Sequence, residues 1–291
     1  MYDSSKELTS FETSQRVSCI LDAQYLFKNS SMNMSKVVWI TGASSGIGEA
    51  LAHEWAAKGA RLILSARNRE KLEIVNKACG GNHLVLPLDM ENDKNYDQAV
   101  DEAWAWQGRV DIAVHNAGIS QRARAEEVSE EALEKIMQVN FMGAAKLARL
   151  QLIRFQGQGS GHFVVITSLS GKFGVPYRSV YCASKHALHG YFDSVRAENA
   201  KYPIRVTIVA PGYIKTDVSV NALGPDGSPT GVMDDNQAQG LPVEVCANAI
   251  IKAVSKNKEE LIIGGTERFG VILKRFFPGI LSKVLANRAG Y

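Results

Sequence analysis

From Lys36 onward the chain alternates short runs rich in Val, Ile and Leu with segments of helical period, and no other feature constrains the fold as much. The apolar runs fall at 37–41, 61–66, 83–88, 110–115, 162–167, 205–210 and 261–263. Each has strand length, and most are apolar on both faces, as strands of a parallel sheet covered on both sides must be. Helical patterns fill the gaps at 47–58, 69–78, 130–154 and 180–200, with Gly59 where a helix-ending glycine belongs. βαβ units repeated in this way predict an α/β fold: a single-domain, Rossmann-type doubly wound parallel sheet of about seven strands with helices on both faces.

The ends of the chain read differently. Residues 1–35 lack Gly and Pro, are rich in Ser and show no strand pattern, so a mobile N-terminal extension with one short helix around 17–27 is expected. The domain itself is expected over 36–266. It includes a segment at 212–240 rich in Gly, Pro, Asp and Asn, whose length and late position suit a substrate lid. The tail at 267–291 reads as an amphipathic helix. Phe269, Ile272, Leu273, Phe276, Phe277, Ile280, Leu281, Val284 and Leu285 recur at i, i+3, i+4, Lys274, Arg275, Lys283 and Arg288 add charge, and Pro278-Gly279 interrupts. Such a stripe packs on the body or on another subunit, or it lies peripherally on a membrane near an apolar substrate pool.

Charge and cysteine usage remove other classes. With 33 Lys plus Arg against 30 Asp plus Glu, the net charge of +3 is too small for a nucleic-acid binder working through bulk electrostatics. Cys19, Cys79, Cys182 and Cys246 lie far apart without a CxxC, which points to reduced thiols in a cytoplasmic protein and to no metal site. No stretch reaches the ~18–20 apolar residues of a transmembrane helix. His115, His186 and His189 are not spaced with carboxylates as metal ligands would be and read as helix or strand surface.

Chemistry concentrates at strand ends. The first strand runs into Thr41-Gly42-Ala43-Ser44-Ser45-Gly46-Ile47-Gly48 and then a helix. Glycines at such a turn let the backbone approach a pyrophosphate, and the helix start offers free N–H groups. Its GxxxGxG spacing and the absence of a large C-terminal domain disfavour a sugar-nucleotide epimerase. The second strand ends Ser65-Ala66-Arg67, where an NAD site usually carries a carboxylate for the ribose hydroxyls. A guanidinium there suits a 2′-phosphate, so NADP(H) is expected over NAD(H). Tyr181 and Lys185 stand four apart on a helix and therefore share a face. An ammonium beside a phenol lowers its pKa, which fits Tyr181 as a general acid or base, with Ser168 at a strand end to bond the same carbonyl oxygen. Phe173 and Tyr177, between them, are candidates for substrate contact.

Taken with Asp89, Asn116-Ala117-Gly118, Asn140 and Pro211-Gly212 followed by Thr216, these motifs occur in an order that resembles the short-chain dehydrogenase/reductase family from Lys36 to about Ile263. The stretches Asn116–Gln121, Gly171–Tyr177, Tyr181–Gly190 and Lys274–Gly279 resemble in particular its member-7 type, whose vertebrate members carry an N-terminal membrane anchor. No such anchor is read in residues 1–35, so a bacterial or invertebrate relative is expected. The resemblance implies a carbonyl reductase or alcohol oxidoreductase, and the apolar lid and tail favour a small hydrophobic ketone or aldehyde as its substrate. It implies Ser168, Tyr181, Lys185 and Asn140 as catalytic residues, Asn140 through a water that relays protons to Lys185. Gly42, Ser45, Gly46, Ile47 and Gly48 would hold the pyrophosphate, with Ser44 and Arg67 near the 2′-phosphate. Asp89 would meet the adenine, and Asn116, Ala117 and Gly118 the adenosine side. Pro211, Gly212, Ile214 and Thr216 would line the nicotinamide end, where Lys185 also holds ribose hydroxyls. Family habit adds a homodimer or homotetramer. The alternative is a catalytically silent nucleotide-binding scaffold; a lyase or dehalogenase on the same fold would generally lose the glycine turn or the lysine.

Overall fold

The computed structural model describes residues 35–288. The extension at 1–34, with its expected helix and Cys19, lies outside the described residues. From Lys36 the chain forms one compact unit.

Seven parallel strands make one sheet: β1 (Val37–Thr41), β2 (Arg61–Ser65), β3 (Leu84–Val85), β4 (Ile112–His115), β5 (Gly161–Ile166), β6 (Ile204–Pro211) and β7 (Glu260–Ile263). Their order is β3-β2-β1-β4-β5-β6-β7, so the winding reverses between β1 and β4. An open α/β sheet leaves a crevice at the strand ends where its winding reverses. Successive residues of a strand face opposite layers, which explains the two-faced apolar runs. Val37, Trp39 and Ile63 point into one core and Val38, Ile40, Leu62 and Leu64 into the other. The first core is covered by α3 (Tyr96–Gln107), α5 (Gly143–Gln158) and α6 (Ser179–Glu198). The second is covered by α1 (Gly46–Ala57), α2 (Arg69–Ala78) and α8 (Val243–Ser255).

Three expectations need correction. The run at 83–88 yields only a two-residue β3 at the sheet edge; the Leu86 and Leu88 amides still donate to the Leu64 (3.0 Å) and Ala66 (3.1 Å) carbonyls, and Pro87 between them turns its missing N–H to the open edge. The helical pattern at 130–154 is two helices, α4 (Glu130–Met137) and α5, joined by a π-turn at Gln138–Met142. Gly143 just beyond it passes so close to the Met90 carbonyl that a side chain would overlap it. Finally, His115 and His189 belong to the interior and not to a surface. Burial drives both to a pKa of about 4, and their ring nitrogens meet Gln151 at 2.9 Å and Thr167 at 3.0 Å.

In the tail, Pro278 ends α9 (Phe269–Phe276) and opens α10 (Pro278–Arg288), the first-turn position that tolerates its missing N–H. Gly270 abuts the Phe173 ring, and Leu281 is buried with Phe173, Leu169 and Ala210. The segment at 212–240 carries one short helix, α7 (Asp235–Ala238).

Candidate active site

A cavity of about 1170 Å³ opens at the carboxyl ends of the strands. Every residue expected to bind a cofactor or substrate lines it except Gly48 and Asn140, which stand directly behind its wall.

At one end lies the β1–α1 turn. Gly42 and Gly46 adopt φ of +67° and +58°, a left-handed backbone that side chains disfavour. Gly48 is helical, but a Cβ on it would overlap the Gly42 carbonyl oxygen and come within 2.6 Å of Asn116 Nδ2. Asn116 fastens the turn by donating Nδ2–H to the carbonyls of Thr41 (3.0 Å) and Gly42 (3.2 Å). Thr41, which the sequence did not single out, accepts at Oγ1 from the amides of Asn116 (3.0 Å) and Ala117 (3.2 Å). This end of the cavity is also lined by Arg67, Asn68 and Lys71; Asn68 caps α2 at the Lys71 amide (2.9 Å). Arg67 is exposed and pairs with no carboxylate among the described residues, Glu70 included.

At the other end Ser168 Oγ accepts from the Ser170 amide (3.1 Å) and lies close enough to the Tyr181 hydroxyl to act on its ionisation. Lys185 Nζ lies 5.7 Å from the Tyr181 ring centre and donates to the Ile166 carbonyl (3.0 Å). The spacing predicts a phenol with lowered pKa; the geometry gives the opposite. Burial pushes Tyr181 up, against smaller downward pulls from Arg178 and Ser168, while burial pulls Lys185 down to about 8. The phenol is therefore a proton holder at neutral pH.

Asn140 sits in the π-turn, a distortion that recurs at functional sites. Its Oδ1 accepts from the Ile119 amide (2.7 Å), and Nδ2 donates to the Ile119 carbonyl (2.9 Å) and to Ser184 Oγ (3.0 Å). A Cβ on Gly118 would come within 3.1 Å of Asn140 Oδ1 and 3.3 Å of Lys185 Nζ, so both side chains converge behind that glycine. Two further residues lacked any local signal. Buried Gln121 accepts at Oε1 from the amides of Val180 (2.8 Å) and Tyr181 (3.1 Å). Asp234, in the segment at 212–240, bridges Arg122 (3.0 Å) and Arg178 (3.4 Å) across the cavity mouth.

Lys185 carries a measurable stability signature. Its pKa falls from 10.5 to about 8 on folding, so between those values the unfolded chain holds the extra proton and stability rises with pH. Below about 8 the buried charge is a constant cost. Lys185→Met is expected to raise the melting temperature at pH 7, with the gain shrinking toward pH 10.5. Thermal scans across that range check it; a variant less stable than wild type at pH 7 would refute the buried-charge account.

The short chain dehydrogenase family profile matches residues 36–224. The dehydrogenase/reductase SDR family member 7B of Danio rerio is 38% identical over 265 residues, 87% of this chain and 85% of the relative. An SDR family protein 7-like of Drosophila melanogaster is 37% identical, covering 87% and 80%. A short-chain dehydrogenase from Streptomyces avermitilis superposes with a TM-score of 0.72 at 29% identity, covering 88% of this chain and 96% of that one. An alcohol dehydrogenase from Thermococcus sibiricus, complexed with 5-hydroxy-NADP, gives a TM-score of 0.69 at 27% identity, covering 80% and 97%. The chain belongs to the short-chain dehydrogenase/reductase family and is an oxidoreductase of that NAD(P)-dependent kind. Among its relatives are the SDR family member 7B and protein 7-like sequences.

Among the described residues no cluster of three or more His, Cys, Asp or Glu could hold a metal ion, and Cys79, Cys182 and Cys246 are free thiols. Among the same residues no helix is long and apolar enough to cross a membrane.

Proposed function

We propose that this protein reduces the carbonyl group of a small, largely apolar ketone or aldehyde, using NADPH in preference to NADH. One observation carries the reading: Ser168, Tyr181 and Lys185 converge at one end of a single cavity whose other end carries Arg67 and Lys71. The turn at 42–48 fits a dinucleotide, because its glycines leave open a cradle that Cβ atoms at Gly42 and Gly46 would narrow or strain. Gly42, Ser45, Gly46 and Ile47 would hold the pyrophosphate, Ser44 and Arg67 the 2′-phosphate, and Asp89 the adenine. Asn116, Ala117 and Gly118 would border the adenosine. Pro211, Gly212, Ile214, Thr216 and Lys185 would hold the nicotinamide riboside, which supplies the hydride when bound. Tyr181 holds a proton at its hydroxyl and donates it to the carbonyl oxygen, while Ser168 Oγ positions that oxygen. Lys185 is the next proton reservoir inward, and Asn140 fixes the wall through which its proton is replaced.

The cavity lining favours an apolar substrate, since Phe173, Val175, Val218, Leu223, Leu273 and Leu285 all contribute to it. The segment at 212–240 acts as the lid. Besides Asp234 it is tied down by the Leu223 amide to Ser120 (2.9 Å), the Arg122 amide to Leu223 (2.8 Å) and the Ser129 amide to Pro225 (3.0 Å). Opening must break these contacts, which suits a gate that closes over bound substrate. The unpaired thiols suit a reducing compartment such as the cytoplasm.

Fluorescence titration with NADPH and NADH tests the cofactor half. Arg67→Ala is expected to weaken NADPH binding by about tenfold or more while leaving NADH nearly unchanged, as loss of a charge-assisted phosphate contact should. Equal loss for both nucleotides, or a wild-type preference for NADH, would sink it.

A further inference from the structure

We propose that helices α9 and α10 form a docking surface for an anionic phospholipid bilayer. The tail does pack on the body, but with one face only. Phe269, Ile272, Phe276, Phe277, Ile280 and Val284 remain between 41% and 69% exposed, together forming an apolar patch of a kind soluble monomers rarely present without use. On α9 the exposed Phe269, Ile272 and Phe276 share one face, and on α10 Ile280 and Val284 share one, while Gly270, Leu273 and Leu281 turn inward.

Charge identifies the occupant. Residues 268–291 contain five Lys and Arg and no Asp or Glu. Lys274, Arg275 and Lys283 are exposed on the same two helices, and the Arg268 guanidinium lies 5.5 Å from the Phe269 ring centre. Aliphatic stems can lie along the acyl boundary while the cationic heads reach lipid phosphates. A second copy of this chain fits worse: a two-fold contact through this face would set the same cations against each other with no carboxylate of the segment to pair them. The patch also meets the cavity, because Phe269 and Val284 are both exposed and line its mouth. An apolar substrate dissolved in the bilayer would thus enter without crossing water, whatever reaction the site performs.

Flotation of the full chain with vesicles of phosphatidylcholine, alone or mixed with phosphatidylserine, tests the surface. The wild type is expected to float with the mixed vesicles and to be released by high salt. Phe276→Asp combined with Ile280→Asp, neither of which lines the cavity, should cut recovery at least about tenfold while NADPH binding persists. Lys274→Glu combined with Arg275→Glu, both exposed and harmless to the fold, should abolish the preference for phosphatidylserine. The proposal falls if the wild type stays in solution with both vesicle types, or if the charge reversal floats as well as the wild type. It falls equally if the wild type is an oligomer that the aspartate pair converts to monomer without either protein binding vesicles, since the face would then be a contact between copies.

Discussion

Tyr181→Phe is expected to lower turnover of a carbonyl substrate by about two to four orders of magnitude, the usual worth of a positioned general acid, with NADPH affinity unchanged. The substitution keeps the ring against Lys185 and removes only the hydroxyl beside Ser168. Because burial holds Tyr181 above its ordinary pKa, the phenol is protonated throughout the neutral range and serves reduction directly. Alcohol oxidation in the reverse direction needs the phenolate and should gain as pH rises. Lys185, poised at about 8, should set the alkaline limb of the reduction profile, because above that value the reservoir behind the phenol is empty. Steady-state rates on a panel of ketones and aldehydes, beside NADPH titrations, separate the outcomes. Turnover within a few-fold of wild type would remove Tyr181 from the chemistry, and joint loss of turnover and binding would make its role structural.

The second large effect is expected at Gly48. Alanine there has no backbone penalty, since this glycine is helical, so the whole cost is overlap with the Gly42 carbonyl and with Asn116 Nδ2. Overpacking of this kind typically costs about 1–3 kcal/mol, and here relief must come from the turn itself. Gly48→Ala is therefore expected to lower the melting temperature by several degrees and NADPH affinity by about tenfold or more. Gly59→Ala is the control. Its φ of +80° imposes strain, but open space surrounds the position and no cofactor contact is near, so it should cost stability alone. Wild-type nucleotide binding in Gly48→Ala would show that the close approach of turn and helix does not shape the cradle.

The sheet was legible because every strand except β3 contains a run of consecutive apolar residues between helical patterns, a signal that survives without knowledge of contacts. Residues lining the cavity were legible too, because the glycines of the turn, Arg67 and the Tyr181/Lys185 pair stand out by local spacing. What stayed hidden depends on partners far away in the chain. Periodicity ran through Asn140 without a break, since a π-turn adds one residue to a turn and leaves no compositional trace. Gln121 and Asp234 read as ordinary polar loop residues until folding set them against amides 59 and 60 positions on and guanidiniums 112 and 56 positions back. The tail's stripe announced an amphipathic helix but not its division, in which Leu281 turns inward and Phe276 outward.

Gln121 also divides labour between two helices that begin at the same cavity. The start of α1 has no side-chain cap, so its amides and their partial positive charge remain available to a diphosphate. At the start of α6 the amides of Val180 and Tyr181 are already taken by the Gln121 carboxamide, a neutral acceptor. An aspartate in that place would have satisfied the same amides while setting a negative charge beside the phenol and raising its pKa further. With a neutral cap, the second helix sets no carboxylate charge beside the phenol, and one pocket keeps its turn of free amides apart from its proton-holding end.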